Sequence, residues 1–336
     1  MPQAESLFNR SMELPYELLE GAIDIHVHAG PHLTTSPRRA DPFQAAEEAK
    51  AAGMRAIVYM DVFKESAGTA WLVQRHVEGI EVFGGLILCS NYDGLNPRAI
   101  KTALNYGKGS KFVSFGAHST YYLTSREGKR VDGKAVAYKD LYPEFAQEEL
   151  SRAIRIPLED PLPAELEEIL ELVAAHPDVY LNTGHVSAEE ALRVVELANR
   201  FGIKRVLVAH FSRKRMTVGQ QKQAVAGGAF LESSFADHVY PSGIPRTHYY
   251  AEPKYYSGVV ANDEPKSSSL GLLAEEIREI GTKHFVLCSD YGIRGTATPV
   301  EGMRQFATAL LDLEFTNDEI QQMICKNPAQ LLGLES

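Results

Sequence analysis

Short apolar runs alternate along the chain with longer stretches whose apolar residues recur at helical spacing. The first run, Ala22-Ile23-Asp24-Ile25-His26-Val27-His28, predicts a strand over 22–28. Similar runs predict strands at 55–60, 81–88, 111–115, 179–182, 204–209, 229–232 and 284–288. Helices are predicted between them. Asp41-Pro42 opens the first, with Asp as N-cap and Pro at the first helical position, and Gly53 stops it. The others span 69–78, 97–106, 163–176, 188–200, about 218–226, 269–280 and 299–311. Leu166, Ile169, Leu170 and Val173 share one face of the 163–176 helix, and Ser187 with Glu190 makes a capping box for 188–200. Helical segments at 316–324 and 328–332 end the chain.

Strand and helix alternate in about eight units, the pattern of a parallel sheet with crossover helices. The count favours an α/β fold of the (β/α)8 TIM-barrel type over an open doubly wound sheet. The expected organisation is one domain over 1–336. Two stretches break the rhythm, 119–156 and 235–267; both are Tyr-rich and weakly periodic. They read as insertions in strand-to-helix loops, where lids and active sites are built. Neither Gly-x-Gly-x-x-Gly nor a Walker loop occurs at a strand-helix turn, so nucleotide binding of those kinds is unsupported.

Alternation along a strand puts His26 and His28 on one side, which is half of a metal site. Further polar residues sit at later strand ends: His118 after the fourth strand, His185 after the fifth, His210 after the sixth, Glu232 at the seventh and Asp290 after the eighth. In a parallel barrel these ends meet at one mouth, so residues distant in sequence are expected to converge. His76, His176 and His248 fit no strand end and read as surface residues.

The net charge of −10 argues against nucleic-acid or anionic-membrane partners, although a local basic pocket stays compatible with it. Cys89, Cys288 and Cys325 are scattered, which suggests neither a disulfide framework nor a thiolate zinc site. The lead-in over 1–20 carries Glu5, Glu13, Glu17 and Glu20 and has no apolar core of a signal peptide. No stretch has the apolar length of a membrane span. The expected location is cytoplasmic; homo-oligomerisation stays open.

The order Ile-Asp-Ile-His-Val-His, His185, His210 and Cys-Ser-Asp at 288–290 resembles the amidohydrolase superfamily of metal-dependent TIM-barrel hydrolases. The tail Asn327-Pro328-Ala329-Gln330-Leu331-Leu332-Gly333-Leu334 is similar to that family's C-terminal segment, so the resemblance runs from about Gly21 to Leu334 outside the insertions. It implies that His26, His28, His185 and Asp290 ligate or face a divalent metal. It further implies that His210 is another ligand or polarises the substrate, and that Asp290 is the general base. Binuclear members often carry a carboxylated lysine at the end of the fourth strand. Here Lys111 begins that strand and His118 occupies the mouth position, which points to a mononuclear centre. Glu232 reads as a substitute carboxylate ligand or a support for the ligands. Imidazole and carboxylate donors suit Zn2+, with Mn2+ and Fe2+ as alternatives.

The expected reaction is hydrolysis of an amide, ester or lactone bond in a small molecule, by water activated on the metal and deprotonated by Asp290. The same scaffold hosts non-oxidative decarboxylases, the alternative reading. A barrel without activity that serves as a binding protein is a second one. Substrate-facing candidates are His32, Arg38 and Arg39 after the first strand, His118, Glu232, and Arg294 after Asp290. Tyr121, Tyr122, Tyr240, Tyr249 and Tyr250 lie in the insertions and suit either an aromatic substrate or lid packing.

Overall fold

The computed structural model describes residues 16–33, 37–239, 259–260 and 269–334. Eight parallel strands form a ring: β1 Ile23–Val27, β2 Ala56–Tyr59, β3 Glu81–Gly84 continued by Leu86–Ile87, β4 Phe112–Ser114, β5 Tyr180–Asn182, β6 Val206–Val208, β7 Phe230–Ser234 and β8 Phe285–Cys288. Each pairs in parallel with its neighbours in chain order, which makes a (β/α)8 barrel.

Two joints in the ring depend on particular residues. β3 breaks at Gly85, where a Cβ would lie 2.4 Å from the Phe112 ring and 2.5 Å from its carbonyl oxygen. The Ser66 hydroxyl enters the gap and accepts the Gly85 N–H at 2.9 Å. The closure of β8 onto β1 lies beyond the last residue of β8. Asp290 N–H donates to the His26 carbonyl at 3.0 Å, and His28 N–H donates to the Tyr291 carbonyl at 2.9 Å.

Strand side chains divide between two buried clusters. Ile57, Tyr59, Val82, Val113, Leu181, Val208, Leu231 and Leu287 face the helices. Ile23, Ile25, Ala56, Val58, Phe112, Tyr180, Leu207 and Val286 fill the interior with the C-terminal Ala329, Leu331 and Leu332. The interior is a packed core, so chemistry is confined to the mouth.

The helices follow the caps in the sequence. Asp41 and Gln44 form a capping box on Pro42–Ala51, and Ser187 and Glu190 form one on Ala188–Phe201. The helix expected at 69–78 instead spans Ala67–Gln74. Glu65 accepts the Gly68 N–H at 2.9 Å and starts it early. The Gln74 side chain then turns to the Ile80 carbonyl and the Val82 N–H, both at 2.9 Å, and stops it.

The 119–156 insertion has more structure than its weak periodicity suggests. It contains helical turns Tyr121–Thr124, Tyr138–Leu141 and Pro143–Glu148, and a hairpin of Glu127–Val131 with Lys134–Ala137. Tyr138 and Phe145 form its small core, too few residues to leave a pattern in the sequence. Of the second inserted stretch, Val259–Val260 pairs antiparallel with the same hairpin, Val259 opposite Gly128 and Val260 opposite Glu127. Tyr240, Tyr249, Tyr250, His248 and the lead-in residues Glu5 and Glu13 lie outside the described residues. Among those described, no helix is long and apolar enough to cross a membrane.

Candidate functional site

The first strand does not deliver its histidines by simple alternation. Ile23 and Ile25 face the barrel interior, so an unbroken strand would turn His26 and His28 toward the helices. The register shifts between them: Asp24 pairs with Ile57 and Val27 with Tyr59, three steps along β1 against two along β2. This is a β-bulge. It lets His26 follow Ile25 inward, Val27 pack outward, and His28 face the mouth.

Each of three histidines is held by Nδ1. His26 Nδ1 lies 2.8 Å from Glu232 Oε1, His28 Nδ1 2.9 Å from the Met60 carbonyl, and His210 Nδ1 2.9 Å from Asp237 Oδ2. A carbonyl can only accept, so His28 carries its proton on Nδ1. Glu232 is fully buried and Asp237 largely shielded, yet the charges around them hold both carboxyls below their usual range: His26 and His210 beside Glu232, His210 and Lys214 beside Asp237. As carboxylates they too can only accept. When neutral, all three imidazoles therefore present an Nε2 lone pair.

Those Nε2 atoms converge on Asp290. His28 Nε2 lies 3.0 Å and His26 Nε2 3.4 Å from Oδ1, and His210 Nε2 lies 3.9 Å from Oδ2. Asp290 sits in the left-handed backbone region with φ 54°, just past β8, where the turn aims its carboxyl back at β1. Burial opposes its ionisation, but His26, His28 and His210 hold it well below the carboxylate range. Burial pushes His28 down to about 4, with the charge of Arg38 adding to the effect. For His26 burial acts in the same sense, but Asp290 and Glu232 outweigh it and lift its pKa to about 9. A neutral His28 thus directs a lone pair at a carboxylate oxygen 3.0 Å away. Two electron-rich atoms at that distance repel unless a proton or a cation lies between them. The donor set, imidazole nitrogens and a carboxylate, suits a divalent ion of the zinc, manganese or iron type.

His185 joins the mouth by another route. Gly184, at φ +68°, lies so close to β4 that a Cβ would meet the Gly116 carbonyl at 2.2 Å. The His185 ring stands 5.2 Å from that of His210 and 5.8 Å from that of His118, and stacks on Phe211 at 4.5 Å. Burial, with His210 and His118 nearby, pushes its pKa well down, and its buried Nδ1 has no hydrogen-bond partner among the described residues. It is a spare donor nitrogen beside the cluster, outside the ligand-distance groups that join His26, His28 and Asp290. His118 Nδ1 lies 3.4 Å from Glu127 Oε2.

The other candidates separate. Glu232 is fully buried and both its oxygens are used within the wall, one on His26 and one on the His210 N–H at 2.9 Å. That is the support position rather than a substrate-facing one. Cys288 also approaches it, with burial and the Glu232 charge pushing its thiol well up, and His26, Glu232 and Cys288 place ligand atoms within 4.8 Å of one another deeper in the wall. Lys111 lies at the start of β4, its ammonium over the Phe83 ring, away from the mouth. His32, Arg38 and Arg39 line a groove along the loop after β1. Arg39 is tied to the Gly292 and Thr296 carbonyls, both at 2.8 Å, and Arg294 is exposed. Tyr121 packs under Arg155, while Tyr122 lies 6.3 Å from Phe211 and so borders the mouth. Asp237 and its Lys214 partner were not legible in the sequence. Their one signal is that Asp237 follows β7 at the start of the second insertion.

The model of a family of unknown function (DUF6282) matches residues 21–232. No curated protein matches the sequence. Among solved structures, a TatD homologue from Escherichia coli K12 superposes with TM-score 0.53 at 14% identity, over 95% of this chain and 100% of that one. A point mutant of the organophosphorus hydrolase from Deinococcus radiodurans gives 0.52 at 13% identity, over 95% of each chain. An Agrobacterium tumefaciens protein in its apo form gives 0.51 at 12%, over 94% and 97%. At these identities the likeness establishes the barrel alone.

Proposed function

The chain belongs to the family of unknown function DUF6282, and we propose that it is a metal-dependent hydrolase of small molecules. The observation that carries this reading is the contact of His28 Nε2 with Asp290 Oδ1 at 3.0 Å, with the His28 proton committed to Met60 on the other nitrogen. His26, His28 and Asp290 would hold one divalent cation, with His210 and His185 as further donors. The absence of a lysine at the mouth end of β4 supports a single ion, Zn2+ before Mn2+ or Fe2+.

A bound divalent cation supplies Lewis acidity, lowering the pKa of a coordinated water and polarising the bond to be cleaved. The chain's residues supply the rest. Asp290 Oδ1 is engaged by both β1 histidines, which leaves Oδ2, 3.5 Å from the Ser234 hydroxyl, to take the water's proton and return it to the leaving group. Glu232 and Asp237 fix the His26 and His210 rings, so the site is organised before substrate arrives. Phe211 and Tyr122 give the mouth an apolar flank suited to a small organic substrate. The net charge disfavours a nucleic-acid substrate.

The test is turnover of an aryl ester, a lactone and a phosphotriester by protein loaded with Zn2+ or Mn2+. Asp290→Asn should keep the fold while activity falls by about 10²-fold or more. Full activity in that variant removes Asp290 from the base role. Release of CO2 without incorporation of water would move the assignment to non-oxidative decarboxylation.

A further inference from the structure

The 119–156 insertion does more than border the mouth. Its first helical turn and the N-cap before it supply two fully buried threonines that hold the backbone of two site histidines. Thr124 Oγ1 donates to the His118 carbonyl and Thr120 Oγ1 to the His185 carbonyl, each at 2.6 Å. Three residues after Thr124, the chain enters the hairpin with Glu127. This carboxylate is 7% exposed and lies 3.4 Å from His118 Nδ1. Its strand is the middle one of three, with Lys134–Ala137 on one side and Val259–Val260 of the second insertion on the other. At Gly128 a Cβ would lie 2.0 Å from the Val136 carbonyl, so the strand packs tightly on its neighbour directly after Glu127. The carboxylate is therefore set by backbone pairing from both insertions. It is not a surface side chain that meets His118 by chance.

We propose that Glu127 is a positioning residue: it fixes the ring of His118 with the proton on Nδ1, so that Nε2 is the nitrogen offered to the mouth. A carboxylate can only accept, and in the neutral ring this leaves the lone pair on Nε2. His118 stands at the C-terminal end of β4, edge-on to His185, the place from which a side chain can meet a substrate held near Asp290. The inference rests on the mouth being the reaction site. It adds that the two insertions, joined through the Glu127 strand, set the orientation of a histidine at the barrel mouth.

The experiment is long-range 1H–15N NMR of the histidine rings in the full chain loaded with Zn2+, with His118 assigned by His118→Phe. In the wild type, Nδ1 of His118 should be protonated and hydrogen bonded. Glu127→Gln should retain that state, because the amide oxygen accepts the same bond. Glu127→Leu should shift the ring toward the Nε2–H tautomer that a solvated histidine side chain prefers. His76 and His176, just past the C-terminal ends of two outer helices, report whether each variant keeps the fold. An unprotonated Nδ1 in the wild type overturns the proposal, as does an unchanged His118 in folded Glu127→Leu; if that variant does not fold, the wild-type spectrum decides. The readout needs no substrate, so its failure leaves metal-dependent hydrolysis standing, and an absence of hydrolysis leaves the tautomer result standing.

Discussion

Asp24 and Ser289 join the first strand of the barrel to the last through one buried carboxylate. Asp24 Oδ2 accepts the Ser289 hydroxyl at 2.5 Å, and Oδ1 accepts the Ser289 N–H and the His26 N–H, both at 3.1 Å. The same group thus closes the ring and pins the bulge that turns His26 inward. Asp24→Ala leaves two backbone donors and a hydroxyl without this acceptor. We expect it to cost about 3 kcal/mol by urea unfolding. A loss below about 1 kcal/mol would show that closure does not depend on this carboxylate.

On the proposed reading, Glu232 and Asp237 act on the cation through the His26 and His210 rings that they hold. Glu232→Gln and Asp237→Asn should each weaken Zn2+ affinity about 10–100-fold while the fold persists. Competition with a chromophoric chelator reads this directly. Unchanged affinity in both variants would mean that ring orientation is set elsewhere.

Asp61, at the mouth end of β2, gives a pH signature of its own. It is buried and accepts the Phe63 N–H at 2.9 Å. Burial raises its pKa above the ordinary carboxylate value despite that bond and the nearby Lys64 and Arg38. The folded chain therefore holds this proton more tightly than the unfolded chain. Stability from Asp61 is full below the unfolded pKa and is lost as pH rises through the folded one. Asp61→Asn should remove that falling limb, so the stability difference between variant and wild type shifts in the variant's favour as pH rises through the mildly acidic range. Parallel unfolding curves at every pH would contradict this.

The barrel was legible because its parallel strands are buried on both faces and read as apolar runs between capped helices. Asp41 and Ser187 cap helices where the sequence placed them. The convergence of side chains at the mouth was legible because His185, His210 and Asp290 follow strands. What the sequence hid was geometry. Alternation correctly puts His26 and His28 on one side, but which side depends on a bulge that no residue at 25–26 announces. The roles of Asp237 and Glu127 were also hidden, since a carboxylate in an insertion becomes a histidine's partner only through tertiary contact. The insertion itself gave no period because its core consists of Tyr138 and Phe145.

The central claim is that His28 and Asp290 face each other across a cation. Calorimetric titration of the metal-stripped chain with Zn2+ near pH 7.5, where a histidine of ordinary pKa is neutral, tests it most directly. One ion should bind per chain, and His28→Ala and Asp290→Ala should each abolish tight binding while circular dichroism stays native. A wild-type chain that takes up no divalent ion, or variants that bind as tightly as the wild type, would contradict the account.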